Sequence, residues 1–263
     1  MSTTAATTPL LESDFYGFQA GLTERERDSL GRLREYLEAE VRPIADEYWA
    51  RAEFPMQVIA PLAELGMYGP GVPLVRQFEN SAVYRGWAAL ELGRVDASVA
   101  TFIGVQSGLA MNSIAVAGSE EQQQEWLPPM ARGELVGAFG LTEPLSGSDS
   151  ARGLRTTARR EGDEWILDGE KRWIGNATFA DVVVVWAKDV ADDQVKGFLV
   201  TTDSPGFTAT KIEDKIALRG VQNADITMTG VRVPEARRLQ RADSFRATAE
   251  VLRLTRTEVA WQA

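Results

Sequence analysis

The sequence predicts an α+β protein: an N-terminal all-α helical domain, then a small β-barrel or sandwich, then the start of a C-terminal helical domain. Three observations predict it. Apolar residues recur at three- and four-residue steps from Thr23 to about Ala131. After Gly133 the pattern becomes short apolar runs separated by Gly and Asp turns. From Ser244 helical spacing returns and continues to Ala263. These changes of period divide the chain into a tail at 1–21 expected to be disordered, a helical domain at 22–133, a β-domain at 134–243 and one helix at 244–263.

Each element has its own local signal. Thr23 and Glu26 form a capping box, and Leu30, Leu33, Leu37, Val41 and Ile44 then mark one buried helix face. Pro43 is expected to kink or divide that helix. A second helix is expected from about Met56 to Leu65, ended by Gly66, and Tyr68 to Asn80 reads as a loop. Further helices follow near Ser81 to Leu92 and Ser98 to Ala117. Ser119 caps the next, with Gln122 three residues on, and Pro128-Pro129 is expected to stop it. Strands are expected at Leu135 to Thr142, Thr156 to Arg160, Glu164 to Leu167, Val182 to Lys188, Gly197 to Thr202, Phe207 to Ile212 and Ala224 to Val233. Gly162-Asp163 and Asp168-Gly169 read as tight turns. The last helix shows apolar Phe245, Val251, Leu252, Val259 and Ala260, with nothing of its own to bury against. It stops inside that pattern, so the chain reads as truncated.

Composition narrows the function. With 28 Lys plus Arg against 38 Asp plus Glu, the formal charge is −10, which argues against a nucleic-acid surface. Local arginines and backbone amides can still bind an anionic cofactor. The absence of Cys and His removes disulfides, thiolate chemistry, Ser-His catalysis and the usual zinc sites. Apolar runs such as Val182 to Ala187 are too short to span a bilayer, so no membrane span is expected. The first nine residues lack a basic and an apolar signal region, which makes a cytoplasmic protein the default.

The most informative segment is Phe139-Gly140-Leu141-Thr142-Glu143-Pro144-Leu145-Ser146-Gly147-Ser148-Asp149. It joins an apolar strand end to a hydroxyl, a proline turn and a Gly-Ser-Asp tip. Gly147 can bring bare backbone close to an anion, and Ser148 adds a donor. An ordinary strand followed by a Pro- and Gly-rich loop is an equal reading of these residues taken alone.

The order helical domain, Leu-Thr-Glu-Pro-x-x-Gly-Ser-Asp, then β-domain resembles the acyl-CoA dehydrogenase and acyl-CoA oxidase flavoproteins. Four further blocks carry the resemblance: Glu91 to Ser98, Gly118 to Gln122, Asp168 to Asn176, and Leu218-Arg219 with Val231 to Glu235. It covers the chain from about Leu22 onward. Arg172 to Asn176 and Val259 to Gln262 look closest to the glutaryl-CoA-dehydrogenase-like and short-chain acyl-CoA-oxidase-like branch. The resemblance implies FAD. Phe139, Leu141, Thr142, Gly147 and Ser148 would line it on one side, with Thr142 at the flavin's polar edge. Trp173, Ile174 and Gly175 would form a second wall. Thr101, Ser148 and Arg256 would meet the acyl-CoA. No Gly-x-Gly-x-x-Gly follows a strand, so a Rossmann site is not expected.

The implied reaction is α,β-desaturation of a short apolar acyl-CoA to a trans-2-enoyl-CoA. The acceptor would be an electron-transfer flavoprotein or O2. The implied assembly is a homo-oligomer, a tetramer in the family, or a pairing with a complementing helical-domain chain. Three departures qualify this. The family usually has Thr where Gly175 stands, and glycine would leave room for a small oxidant. Ala100 stands where glutaryl-specific members carry Arg, so a dicarboxylic substrate is not expected; Phe102 and Ile103 nearby fit a short apolar chain and equally fit core packing. Thr255, before Arg256, occupies one of the family's two positions for the catalytic Glu and is no carboxylate. The other position lies in third-domain sequence beyond Ala263, so no catalytic base is identified. Glu258, one turn from Thr255, reads as a solvated carboxylate. An incomplete subunit that binds FAD or acyl-CoA without turnover is the alternative.

Overall fold

A computed structural model describes residues 14–263. The disordered tail expectation falls mainly on residues 1–13, outside the described residues. At its end Phe18–Gly21 forms a 3-10 turn, with the Asp14 carboxylate accepting from the amides of Phe18 and Gln19.

The helical part begins with α1 (Glu24–Tyr36), whose capping box is present in both directions between Thr23 and Glu26. Glu26 also accepts from the Ser81 amide at 2.6 Å, joining the starts of two helices. Leu30, Leu33, Leu37 and Val41 are fully buried. A π-helical turn at Leu37–Val41 leads into α2 (Arg42–Arg51), with Pro43 in its first turn, where a missing N–H costs least. A 3-10 turn at Met56–Val58 precedes α3 (Ile59–Glu64), and Gly66 closes it at φ +75°. Next come α4 (Ala82–Val95) and α5 (Ala97–Ile103), a π-helical stretch Gly104–Met111, α6 (Asn112–Ala117) and α7 (Glu120–Ala131). Contrary to expectation, α7 runs through Pro128 and Pro129. Each removes one backbone donor to a carbonyl four residues back, yet the helix continues to Ala131.

Ala97–Ala117 forms one 21-residue helical run, long and apolar enough by composition to cross a membrane, which the apolar-run reading missed. It is the centre of the helical core: Val99, Phe102, Ala110, Met111 and Ile114 are at most 1% exposed.

Seven strands follow: β1 (Gly137–Gly140), β2 (Thr157–Glu161), β3 (Glu164–Ile174), β4 (Val182–Asp189), β5 (Val195–Thr201), β6 (Phe207–Lys211) and β7 (Ala224–Pro234), with a short α8 (Ser150–Gly153) after β1. They form one curled sheet in the order β1-β4-β2-β3-β7-β6, with β5 on the other edge of β4. β1 and β2 both pair with β4 in parallel, at opposite ends of its length. β4 reads as an unbroken apolar run because both of its faces are buried. The Asp168-Gly169 turn is not formed, since β3 continues through it. Gly169 sits at φ +147°, where a Cβ would come within 2.6 Å of Thr156 Oγ1. Its glycine serves a close crossing of β2 and β3 instead of a turn.

Gln106 ties the two parts together. Its side chain accepts from the Gly137 amide and donates to the carbonyls of Leu135 and Met130. The last helix, α9 (Phe245–Gln262), packs back onto α4 and the Ala97–Ala117 run. This corrects the expectation that it has nothing to bury against. Thr248, Val251 and Thr255 form its buried face, and Gly86, Gly93 and Gly108 make the close approach.

Candidate functional site

Two segments meet at the mouth of the sheet. β3 carries a bulge near its end: Lys171 pairs with Ile226 and Ile174 with Ala224, leaving two residues opposite Asp225. Within it Trp173 takes φ +62° and its side chain is 51% exposed. A bulge re-aims a side chain, and a positive φ on a bulky residue is sparsely populated. The conformation is held by Asn223, which donates to the Trp173 carbonyl at 3.1 Å. The Arg172 guanidinium lies 5.4 Å from the indole centre.

The Arg172 amide donates to the Thr142 carbonyl at 2.8 Å, placing the strand-to-loop junction beside the exposed indole. From there the chain turns at Pro144-Leu145, between Glu143 and Ser146, and reaches Gly147 and Ser148. Among the described residues, the amide and hydroxyl of Thr142, the amide of Gly147, and the amide and hydroxyl of Ser148 make no hydrogen bond. A Cβ at Gly147 would meet nothing within 4 Å.

The junction is pinned from beneath by a pair the sequence reading did not single out. Lys171 is fully buried, and its Nζ donates to Glu143 Oε1 at 2.8 Å, the Trp186 carbonyl at 2.7 Å and the Leu141 carbonyl at 3.3 Å. Glu143 also accepts from the amides of Arg155 and Thr156. Burial draws the Lys171 ammonium down to about 8 against the pull of the Glu143 carboxylate. Burial works to raise Glu143, but the Lys171 charge and hydrogen bonds from Lys171, Thr156 and Arg155 outweigh it and hold the carboxyl below its ordinary range. A signal existed: Trp165, Leu167, Gly169 and Lys171 alternate along one face of β3. The expected turn at Asp168-Gly169 hid it.

The other expected site residues divide. Phe139, Leu141 and Ile174 are core side chains, at most 8% exposed, so only their backbone can face a ligand. Gly175 is backed by Val105, whose Cγ2 would lie 3.2 Å from a Cβ there. A Cβ there would press on that methyl by a few tenths of an ångström. Thr101 gives its hydroxyl proton to the Ala97 carbonyl at 2.7 Å. Arg256 is exposed and makes no hydrogen bond or ion pair among the described residues. Phe102 belongs to a ring cluster with Phe54, Tyr68 and Phe179, which favours the core reading over the acyl-chain one. Thr255 is buried and donates to the Gly108 and Val251 carbonyls. Glu258 is a correction: burial raises its carboxyl, and it lines a cavity where solvation was expected.

The residues fit the flavin that the resemblance implied. A flat ring with a polar edge and a pyrophosphate needs an apolar face, a set of unsatisfied donors and bare backbone. Trp173, Thr142 and Gly147-Ser148 supply these in turn.

Comparison with known proteins agrees. The N-terminal domain of acyl-CoA dehydrogenases matches residues 23–134 and their middle domain matches 138–231. The fold and site define a flavoprotein dehydrogenase architecture. The chain belongs to the acyl-CoA dehydrogenase family and carries its FAD-binding fold. A probable acyl-CoA dehydrogenase of Bacillus subtilis, YngJ, is 35% identical over 82% of this chain and 58% of its own. The human short-chain specific acyl-CoA dehydrogenase is 34% identical over 92% and 60%. A Mycobacterium smegmatis glutaryl-CoA dehydrogenase in complex with FADH2 superimposes with a TM-score of 0.87 at 36% identity, covering 97% of this chain and 65% of that one. The chain thus spans about three fifths of the length of the curated relatives it matches. The cytoplasmic default is overturned: the short-chain relatives of human, mouse, rat and cattle are mitochondrial. Composition carries no signal that separates those compartments.

Proposed function

We propose that this chain provides the helical and sheet walls of an FAD-dependent acyl-CoA dehydrogenase that desaturates a short acyl-CoA to the trans-2-enoyl-CoA. The observation that carries the reading is the Arg172-to-Thr142 hydrogen bond, which sets unsatisfied donors beside an outward-turned indole. Bound FAD supplies the hydride acceptance that this desaturation requires. Thr142 would hold the polar edge of the ring through its amide and hydroxyl, and the Gly147 and Ser148 amides would hold phosphate oxygens. The Trp173 indole would cover the ring and exclude water. Arg256 is an exposed cation available to the anionic CoA. The body of the acyl chain would run along the apolar side chains of Ile103 and Val105.

Removal of the α-proton requires a carboxylate, which Thr255 does not supply. Threonine at that position is what supports, as a second reading, a subunit that binds FAD and acyl-CoA without turnover.

The visible spectrum of the purified chain, followed by anaerobic addition of butyryl-CoA, tests this. A yellow protein that bleaches supports the dehydrogenase, and yellow without bleaching supports the binding subunit. A chain that is colourless after incubation with FAD and removal of the free flavin overturns both.

A further inference from the structure

Trp173 does not hold its conformation alone. The segment 212–223, between β6 and β7, carries a chain of side-chain hydrogen bonds that ends on it. At the far end, Arg219 donates from Nε to the Trp49 carbonyl and from one terminal nitrogen to the Ala50 carbonyl, both at 3.1 Å, where α2 closes. Its guanidinium also lies 5.1 Å from the centre of the half-exposed Trp49 ring. A cation at the last carbonyls of a helix is favoured by the helix dipole as well as by the bonds themselves. The other terminal nitrogen donates to the Lys215 carbonyl at 3.1 Å. The Lys215 ammonium in turn donates to the carbonyls of Leu218 and Val221 and, at 2.6 Å, to Asn223 Oδ1. Asn223 Nδ2 closes the chain on the Trp173 carbonyl. Gly220 lets the segment lie close on the helical part: a Cβ there would stand 2.9 Å from Ser98 Oγ and 3.3 Å from the Glu53 carbonyl oxygen.

We infer that Lys215 is a positioning residue for the flavin wall, acting through Asn223, with Arg219 fixing both to the end of α2. The inference rests on the reading of Trp173 as part of that wall. The donor-only chemistry of an ammonium is what gives Lys215 this effect. It accepts one orientation of the Asn223 amide, with Oδ1 toward Lys215 and Nδ2 toward Trp173. A tryptophan at positive φ stays there only when its surroundings over-determine it, and the bond to its carbonyl is such a constraint. The three N–H donors of Lys215 are matched by three neutral oxygens, and no carboxylate pairs with it among the described residues. Ile216 and Leu218 on the same segment face solvent, so hydrogen bonds rather than apolar burial set its course there. The end of a helix in the N-terminal domain thereby sets a ring in the sheet domain.

The test titrates FAD into the whole 263-residue chain and follows both affinity and the emission of the bound flavin at saturation. An indole lying on an isoalloxazine quenches its emission, so release of Trp173 brightens bound FAD. Lys215→Met is expected to weaken FAD binding about fivefold and to raise that emission. Asn223→Asp keeps an acceptor for Lys215, and with it the course of the segment, but cannot donate to the Trp173 carbonyl. It is expected to give the same two changes, and it decides the matter if Lys215→Met fails to fold. In a Trp173→Gly background neither substitution weakens FAD further. Weaker binding with quenching unchanged, an equal loss in the Trp173→Gly background, or parent-like binding by Asn223→Asp overturns the inference and leaves Lys215 a packing residue. Failure of the parent chain to bind FAD, or bound flavin no brighter after Trp173→Gly, overturns instead the reading of Trp173 as a flavin wall, and this inference with it.

Discussion

The Lys171 ammonium and the Glu143 carboxylate lie 2.8 Å apart with neither side chain more than 4% exposed, directly beneath the turn that presents Thr142. A buried ion pair contributes little net stability but is costly to break from one side. Lys171→Met is therefore expected to destabilise the fold by about 3–5 kcal/mol. The double variant Lys171→Met, Glu143→Leu recovers most of that loss. Urea denaturation checks the stability. Flavin affinity separates holding the fold from positioning the loop: a double variant that binds FAD as the parent does would show that the pair has no positioning role.

The same pair sets an acid limit. The folded-state carboxyl of Glu143 sits below its value of 4.5 in the unfolded chain. Its contribution is complete above pH 4.5 and disappears as the pH falls through the lower folded value. Below pH 4.5, Glu143→Gln should lose stability less steeply than the parent. Parallel acid-denaturation slopes for the two proteins would contradict this.

Trp173 carries a backbone cost for an outward-facing ring. Trp173→Gly removes the positive-φ penalty, worth about 1 kcal/mol, and with it the wall. The variant is expected to melt no lower than the parent while binding FAD at least tenfold more weakly. A lower melting temperature with unchanged FAD affinity would make the ring a packing residue.

Gly86 lets α9 approach α4, since a Cβ there would collide with the Trp261 indole. Gly86→Ala should displace the end of α9 at a cost of about 1–3 kcal/mol. Hydrogen exchange checks it: amides from Glu258 to Gln262 lose protection, while those of β4 keep theirs.

Much of this was legible in the sequence. The Thr23 and Ser119 caps, the three- and four-residue steps at Leu30, Leu33 and Leu37, and the apolar run of β4 each report a local periodicity or cap, and each forms. The misreadings share a cause, because they depend on what another segment places opposite. Gly169 looks like a turn until Thr156 is seen against it. Glu258 looks solvated until α4 covers it, and Phe102 looks like a pocket wall until Phe54 and Phe179 enclose it. Trp173 and Thr142 stand out in the sequence because a run of neighbours carries their signal, whereas Lys171 was missed because its partner lies 28 residues away.

The contact between Val105 and Gly175 gives the π-helical stretch two audiences. One turn of helix stands both beside Glu258 and beside the wall expected to back the chromophore. Ligand occupancy at the far end of that turn is therefore expected to be visible as a change of colour, with no label and no turnover.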